Sequence, residues 1–237
     1  REEILFSENK NLVPLALLKD EEWISFVQCA TEPGDLVLHK RGNSENVQKI
    51  TNVFEYVSYT RDDLVSPESY IWKANDGLSI QGWLYKTAQK PKGTIILVHG
   101  GPTGHSENNF KVDIQFLASE GFNVLEPNYR GSTGFSLSFE KSITKEGWGG
   151  SEQTDILEGV KSLIKDGISE EGKVGITGTS YGGYSAWCAI TRFPRKYIAA
   201  AAPICGMTDL VVDYETTRPD LRGYTEEMMG GTPKDLP

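Results

Sequence analysis

The run Val174-Gly-Ile-Thr-Gly-Thr-Ser-Tyr-Gly-Gly-Tyr184 leaves this chain few ways to fold. An apolar, strand-like stretch enters Gly178-x-Ser180-x-Gly182 directly, and a small-residue segment able to form a helix follows. A strand that turns this abruptly into a helix holds its central serine in a backbone conformation that L-residues avoid. The glycines two residues to either side are needed because a Cβ there would collide where strand and helix converge. This is the arrangement that presents a nucleophilic serine at the top of an α/β-hydrolase sheet.

The chemistry of such a serine sets further requirements. A hydroxyl is a poor nucleophile at neutral pH and needs a base to take its proton. It also needs N–H donors aimed at the oxyanion formed when a carbonyl is attacked. In this architecture one donor is the backbone N–H of the residue after the nucleophile, here Tyr181, and the other comes from the loop after an earlier strand. The continuous apolar run Thr94-Ile-Ile-Leu-Val98 leads into His99-Gly-Gly-Pro102, so Gly101 N–H is the expected second donor. Gly100 and Pro102 shape that loop. His99 is expected to organise it through hydrogen bonds rather than act as base, since triads in this architecture run serine, acid, histidine. His39 and His105 read as ordinary polar positions. Asp209 is a secondary candidate for the triad acid, and Arg130 is open between carboxylate binding and buttressing a loop.

The rest of the chain organises around this motif. Over residues 1–65, Val13–Leu18, Trp23–Cys29, Asp35–His39 and Val47–Thr51 are short strand-like runs separated by turn compositions, Arg41-Gly-Asn-Ser-Glu-Asn46 among them. Four such strands make an antiparallel meander the size of one β-propeller blade, which cannot bury both faces alone. The alternative is a small meander packed on the following domain. Residues 54–76 read as a polar connection. From Leu78 onward strands alternate with helices: a strand at 78–85, Thr94–Val98, a helix through Phe110, Ile114 and Leu117, a strand at Asn123–Glu126, and a helix with Ile156, Val160, Leu163 and Ile164 on one stripe. The elbow strand, its helix to Phe193 and a strand at Ile198–Ile204 follow. That order predicts a doubly wound, mostly parallel α/β sheet over residues 66–237. Charged residues within the helices read as solvated faces.

A formal charge of −9 and a pI near 5.0 argue against nucleic acid or an anionic membrane as partner. No apolar run approaches the roughly 20 residues that span a bilayer. Cys29, Cys188 and Cys205 form an odd, widely spaced set, which favours a reducing, cytoplasmic setting over a disulfide framework. Cys188 and Cys205 read as buried small hydrophobes. Three histidines without paired Cys/His spacing predict no metal site, and no cofactor is required.

Taken in order, His99-Gly-Gly-Pro102, Asn128-Tyr-Arg-Gly-Ser-Thr-Gly134, Trp148-Gly, Gly178-Thr-Ser-Tyr-Gly-Gly-Tyr184 and Met229-Gly-Gly-Thr-Pro233 resemble the prolyl oligopeptidase family of serine peptidases, most of all its acylaminoacyl-peptidase-like branch. The resemblance covers about residues 70–237. It implies short peptides as substrates, a preceding propeller that restricts access, Ser180 as nucleophile, and Tyr181 and Gly101 as oxyanion donors. His99 stands where the prolyl and dipeptidyl branches carry an oxyanion tyrosine, which favours an all-backbone oxyanion hole. Phe135-Ser136 departs slightly from the family's usual Tyr-Gly. In the family the triad aspartate and histidine follow a segment like Met-Gly-Gly-Thr-Pro, whereas here no histidine follows Ser180 before Pro237. The expectation is therefore a fragment, inactive alone, whose base and acid come from beyond residue 237. A complementary chain carrying the rest of the catalytic domain, or a homo-oligomer, is the expected partner. A carboxylesterase or lipase shares the elbow, and an inactive hydrolase-like interaction domain is the other alternative.

Overall fold

The computed structural model describes residues 10–40 and 47–235; the turn at Arg41–Asn46 and the chain end at Pro237 lie outside them. The chain forms two compact units, residues 1–67 with 107–120, and residues 68–106 with 121–237.

In the first unit, β1 (Asn11–Leu17), β2 (Trp23–Cys29), β3 (Glu32–His39) and β4 (Val47–Lys49) pair antiparallel in chain order, as the spacing of strand-like runs predicts. Period-two alternation buries Ser25, Val27 and Cys29 of β2 on the same side as Asp35, Val37 and His39 of β3. His39 is not an ordinary surface position. It stacks on Trp23 at 3.8 Å between ring centroids, its Nε2 lies 2.6 Å from Ser25 Oγ, and burial pushes its pKa down. Helix α1 (Val112–Ser119) belongs to this unit, where the Gln115 amide donates to the carbonyls of Ala30 and Val65 and accepts from Val65 N–H. By contrast Leu15 and Leu17 of β1 are 55% and 80% exposed, so one edge of the meander is uncovered apolar surface.

The second unit holds β5 (Glu68–Lys73), β6 (Ser79–Tyr85), β7 (Gly93–Val98), β8 (Phe122–Asn128), β9 (Val174–Thr179) and β10 (Ala200–Ile204) in the order β10-β9-β7-β8-β6-β5. The four strands from β10 to β8 are parallel, while β6 and β5 run antiparallel at the other end. Strand β5 corrects the reading of residues 54–76 as a connection. Its polar flanks hide an alternation in which Trp72 is buried and Ile71 exposed, and the Trp72 indole N–H donates to Asp155 O at 2.8 Å.

The helices of this unit are α2 (Leu137–Glu140), α3 (Ser151–Lys165), α4 (Tyr181–Arg192), α5 (Leu210–Thr216) and α6 (Pro219–Met229). The α3 stripe lies as predicted, with Ile156, Val160 and Leu163 fully buried. Two acidic residues of α3 are buried as well. Glu152 is 1% exposed and Asp155 0%, which corrects the reading of helix charges as solvated faces; each is held by hydrogen bonds to buried partners. Cys188 is buried, but Cys205 is exposed because it lies one residue past the edge strand β10, in a turn with φ +50°. Among the described residues no helix is long and apolar enough to cross a membrane, and no cluster of His, Cys, Asp or Glu is disposed to hold a metal ion.

Candidate active site

Strand β9 ends at Thr179 and α4 starts at Tyr181, so the whole change of direction falls on Ser180, at φ +59° and ψ −117°. A non-glycine residue there is strained and persists only where its surroundings over-determine it. Those surroundings are backbone. Ser180 N–H donates to Ile204 O of β10 at 2.9 Å, and Ser180 O accepts the first α4 bond from Tyr184 N–H at 3.0 Å. A Cβ on Gly182 would lie 2.1 Å from Val98 O of β7. Gly183 and Gly206 meet backbone to backbone, for a Cβ on Gly206 would lie 2.3 Å from Gly183 C. The serine itself is exposed.

The loop after β7 reaches the same place. Gly100 adjoins the elbow, with the Cβ position 3.7 Å from Ser180 Cβ. Gly101 takes φ +125° and precedes a cis peptide bond to Pro102. His99 turns its ring into this loop: Nδ1 is 2.8 Å from Gly100 O and Nε2 is 2.9 Å from Ser132 Oγ. The ring stacks on Tyr129 at 4.4 Å, whose hydroxyl donates to His99 O at 3.0 Å. His105 sits further along, with Nδ1 2.8 Å from Thr133 Oγ1. The structure thus brings Ser180, Tyr181, His99 and Gly100 together and carries Gly101 and Pro102 on the same loop.

Tyr181 is 1% exposed, and its ring lies against Tyr129, Trp148 and Tyr184 at centroid distances of 6.0, 5.4 and 5.4 Å. Its hydroxyl donates to Glu152 Oε1 at 2.8 Å. Burial, reinforced by the Glu152 carboxylate, pushes this phenol well above its usual pKa, so it remains a donor. Tyr224 of α6 closes the cluster, 6.1 Å from Trp148, with its hydroxyl 2.7 Å from Thr103 Oγ1. Met229 of the Met-Gly-Gly-Thr-Pro segment accepts from Trp148 N–H through its sulfur at 3.2 Å.

The two residues with open assignments, Asp209 and Arg130, both have hydrogen-bond partners. Asp209 is the N-cap of α5, where one carboxylate oxygen accepts from Val211 N–H and Val212 N–H at 2.9 and 3.0 Å. Arg130 buttresses a loop. Its Nε and one terminal nitrogen donate to Asp155, both at 2.8 Å, and Asp76 accepts from both terminal nitrogens at 2.9 and 3.2 Å. Burial pushes the Asp155 carboxyl up while Arg130 opposes that shift, and with two-toothed pairing we assign the pair as ionised.

The Arg130 hydrogen bonds hold the Asp76 carboxyl below its ordinary value of 3.8. A carboxyl lowered on folding adds stability at neutral pH, and that increment disappears as pH falls from the unfolded value through the folded one. Thermal melting of the wild type should therefore lose stability faster than Asp76→Asn on acidification below about pH 4. The difference is small because Asp76 is 56% exposed. Parallel acid profiles for the two proteins would remove the basis for this coupling.

A strained serine between an interior parallel strand and a helix, beside a glycine-rich loop from the neighbouring strand, is the arrangement of the α/β-hydrolase architecture. Residues 108–237 match the family model described as the prolyl oligopeptidase family, and the chain belongs to that family. It is 27% identical over 250 residues to dipeptidyl peptidase family member 6 of Caenorhabditis elegans, covering 94% of this chain and 33% of that protein. Dipeptidyl aminopeptidase BIII of Pseudoxanthomonas mexicana is 33% identical over 141 residues, 60% of this chain and 20% of its own length. Among solved structures, the Pyrococcus horikoshii acylaminoacyl peptidase superposes with a TM-score of 0.78 at 26% identity, over 95% of this chain and 35% of that one. The chain spans about a third or less of the length of the curated relatives it matches.

Proposed function

We propose that the protein containing this chain is a serine peptidase that hydrolyses short peptides through an acyl-enzyme on Ser180. The observation that carries this reading is the exposed Ser180, held at φ +59° at the head of α4. Its Oγ attacks the scissile carbonyl as a base takes the hydroxyl proton, and the same base returns that proton to the leaving amine. Water then repeats the sequence on the acyl-enzyme. Tyr181 N–H and Gly101 N–H receive the oxyanion, while His99, Gly100 and Pro102 hold the loop in shape. The names of the relatives, dipeptidyl and acylaminoacyl peptidases, support peptides as the substrate class.

His99 is committed to Gly100 O and Ser132, and His105 to Thr133. On this reading base and acid come from outside residues 1–237, supplied by the rest of the catalytic domain or by a complementary chain, and residues 1–237 alone are inactive. Residues 1–65 are the C-terminal part of a β-propeller, and 66–237 the N-terminal part of the catalytic domain. The four-stranded meander with its uncovered edge supports that division. Three free cysteines fit a reducing cytoplasm.

The test is to treat the full-length protein with a fluorophosphonate and map the adduct by peptide mass spectrometry. One adduct on Ser180 is expected, together with cleavage of short peptide amides. Failure to label Ser180 would overturn the nucleophile assignment. Labelling at Ser180 with turnover of p-nitrophenyl esters but not of peptide amides would replace peptidase by esterase.

A further inference from the structure

Beneath the elbow lies a carboxylate with no part in attack, proton transfer or oxyanion binding. Glu152, in the first turn of α3, is 1% exposed. One oxygen, Oε1, accepts three hydrogen bonds: from Gly149 N–H at 2.5 Å, from the Gln153 amide at 3.0 Å and from the Tyr181 hydroxyl at 2.8 Å. The other oxygen is buried without a partner among the described residues, and so are the Trp148 indole N–H and the Gln153 side-chain carbonyl. Burying polar atoms unpaired costs stability, and a position serving the fold alone is often filled as well or better by apolar side chains of similar volume.

What Glu152 does touch is the residue after the nucleophile. Its bond to the phenol fixes one end of Tyr181, while Tyr129, Trp148 and Tyr184 pack its ring. The other end of Tyr181 is the first residue of α4, whose backbone N–H adjoins the strained Ser180. Rotation of that peptide unit would move the N–H away from the oxyanion and relax the serine. Ring packing resists tilt, and the hydroxyl bond resists sliding of the ring within its slot.

We propose that Glu152 is a positioning residue: through the Tyr181 hydroxyl it holds the Tyr181 N–H and the Ser180 backbone in register for attack. This rests on Ser180 being the nucleophile. The experiment measures the maximal rate of inactivation and the reversible affinity of a fluorophosphonate on the full-length protein, with thermal melting alongside. Wild type is compared with Glu152→Ala, Tyr181→Phe, the double variant and Glu152→Gln. Losing a whole oxyanion donor costs about 10²–10³ in rate, so a misplaced one should lower the inactivation rate about 10- to 100-fold in each single variant. Affinity should stay within about twofold, and the double variant should be no slower than the slower single one, because both remove one shared bond. Glu152→Gln, which keeps an acceptor for the hydroxyl, should recover most of the rate. The proposal is overturned by single variants that label at the wild-type rate, by losses that multiply in the double variant, or by a rate that falls only in step with melting temperature. Should Glu152→Ala fail to fold, Tyr181→Phe decides, since it deletes the same bond and leaves the carboxylate in place. Absence of wild-type labelling at Ser180 overturns the nucleophile assignment and this proposal together, whereas labelled wild type with unaffected variants overturns this proposal alone.

Discussion

Replacing Ser180 by alanine in the full-length protein is expected to lower peptide turnover by about 10⁶-fold, with substrate affinity little changed. The size follows from the division of labour at the elbow. In the proposed mechanism the oxyanion N–H groups and the binding surface survive the substitution and can still give about 10³–10⁴-fold catalysis over water. Covalent attack and everything that depends on it disappear. The folded state should be at least as stable, because alanine removes a hydroxyl while the backbone strain at φ +59° stays. Steady-state kinetics with a short fluorogenic peptide decides the matter. Turnover within about tenfold of wild type would mean that another residue carries the nucleophile's role.

The second large effect is on stability. Arg130→Ala should cost about 3–5 kcal/mol, because it strands the Asp155 carboxylate in the interior. Asp155 is 0% exposed, and Arg130 satisfies both of its oxygens. For a chain of this size that corresponds to a fall on the order of 10 °C in Tm. The double replacement Arg130→Met with Asp155→Leu should recover part of the loss, since it removes both charges and leaves only the backbone N–H of residue 130, which donates to Asp155 at 3.0 Å, without its acceptor. Calorimetry on the three proteins tests this. An Arg130→Ala protein that melts with the wild type would show that Asp155 finds another partner or is protonated.

How much of this was legible in the sequence depends on whether a residue's task shows in its neighbours along the chain. The elbow is local: strand, turn and helix are consecutive, and the glycines stand where the convergence demands them. The loop His99–Pro102 is legible for the same reason, since it follows a buried apolar strand directly. Helices α5 and α6 show in the sequence mainly at their ends, Asp209 as N-cap, Pro219 in the first turn and Gly230 in the left-handed region at φ +84°. In α6, Leu221, Tyr224 and Met228 also stand at helical spacing. Glu152 and Asp155 could not be recognised by pattern, for an acidic residue early in an amphipathic helix normally faces solvent and complements the helix dipole. Only the fold brings Tyr181 and Arg130 to them, from 29 and 25 residues away.

The contact between Gly183 and Gly206 bears on how a fold of this kind diversifies. No side chain separates α4 from the turn after β10, so there is nothing at that seam to enlarge, shrink or repack. At that seam the elbow helix is thus held by backbone alone. On the proposed function, residues that line the approach to Ser180 can drift while the Gly183–Gly206 contact keeps its place. The reactive frame and its lining are therefore free to evolve on separate schedules.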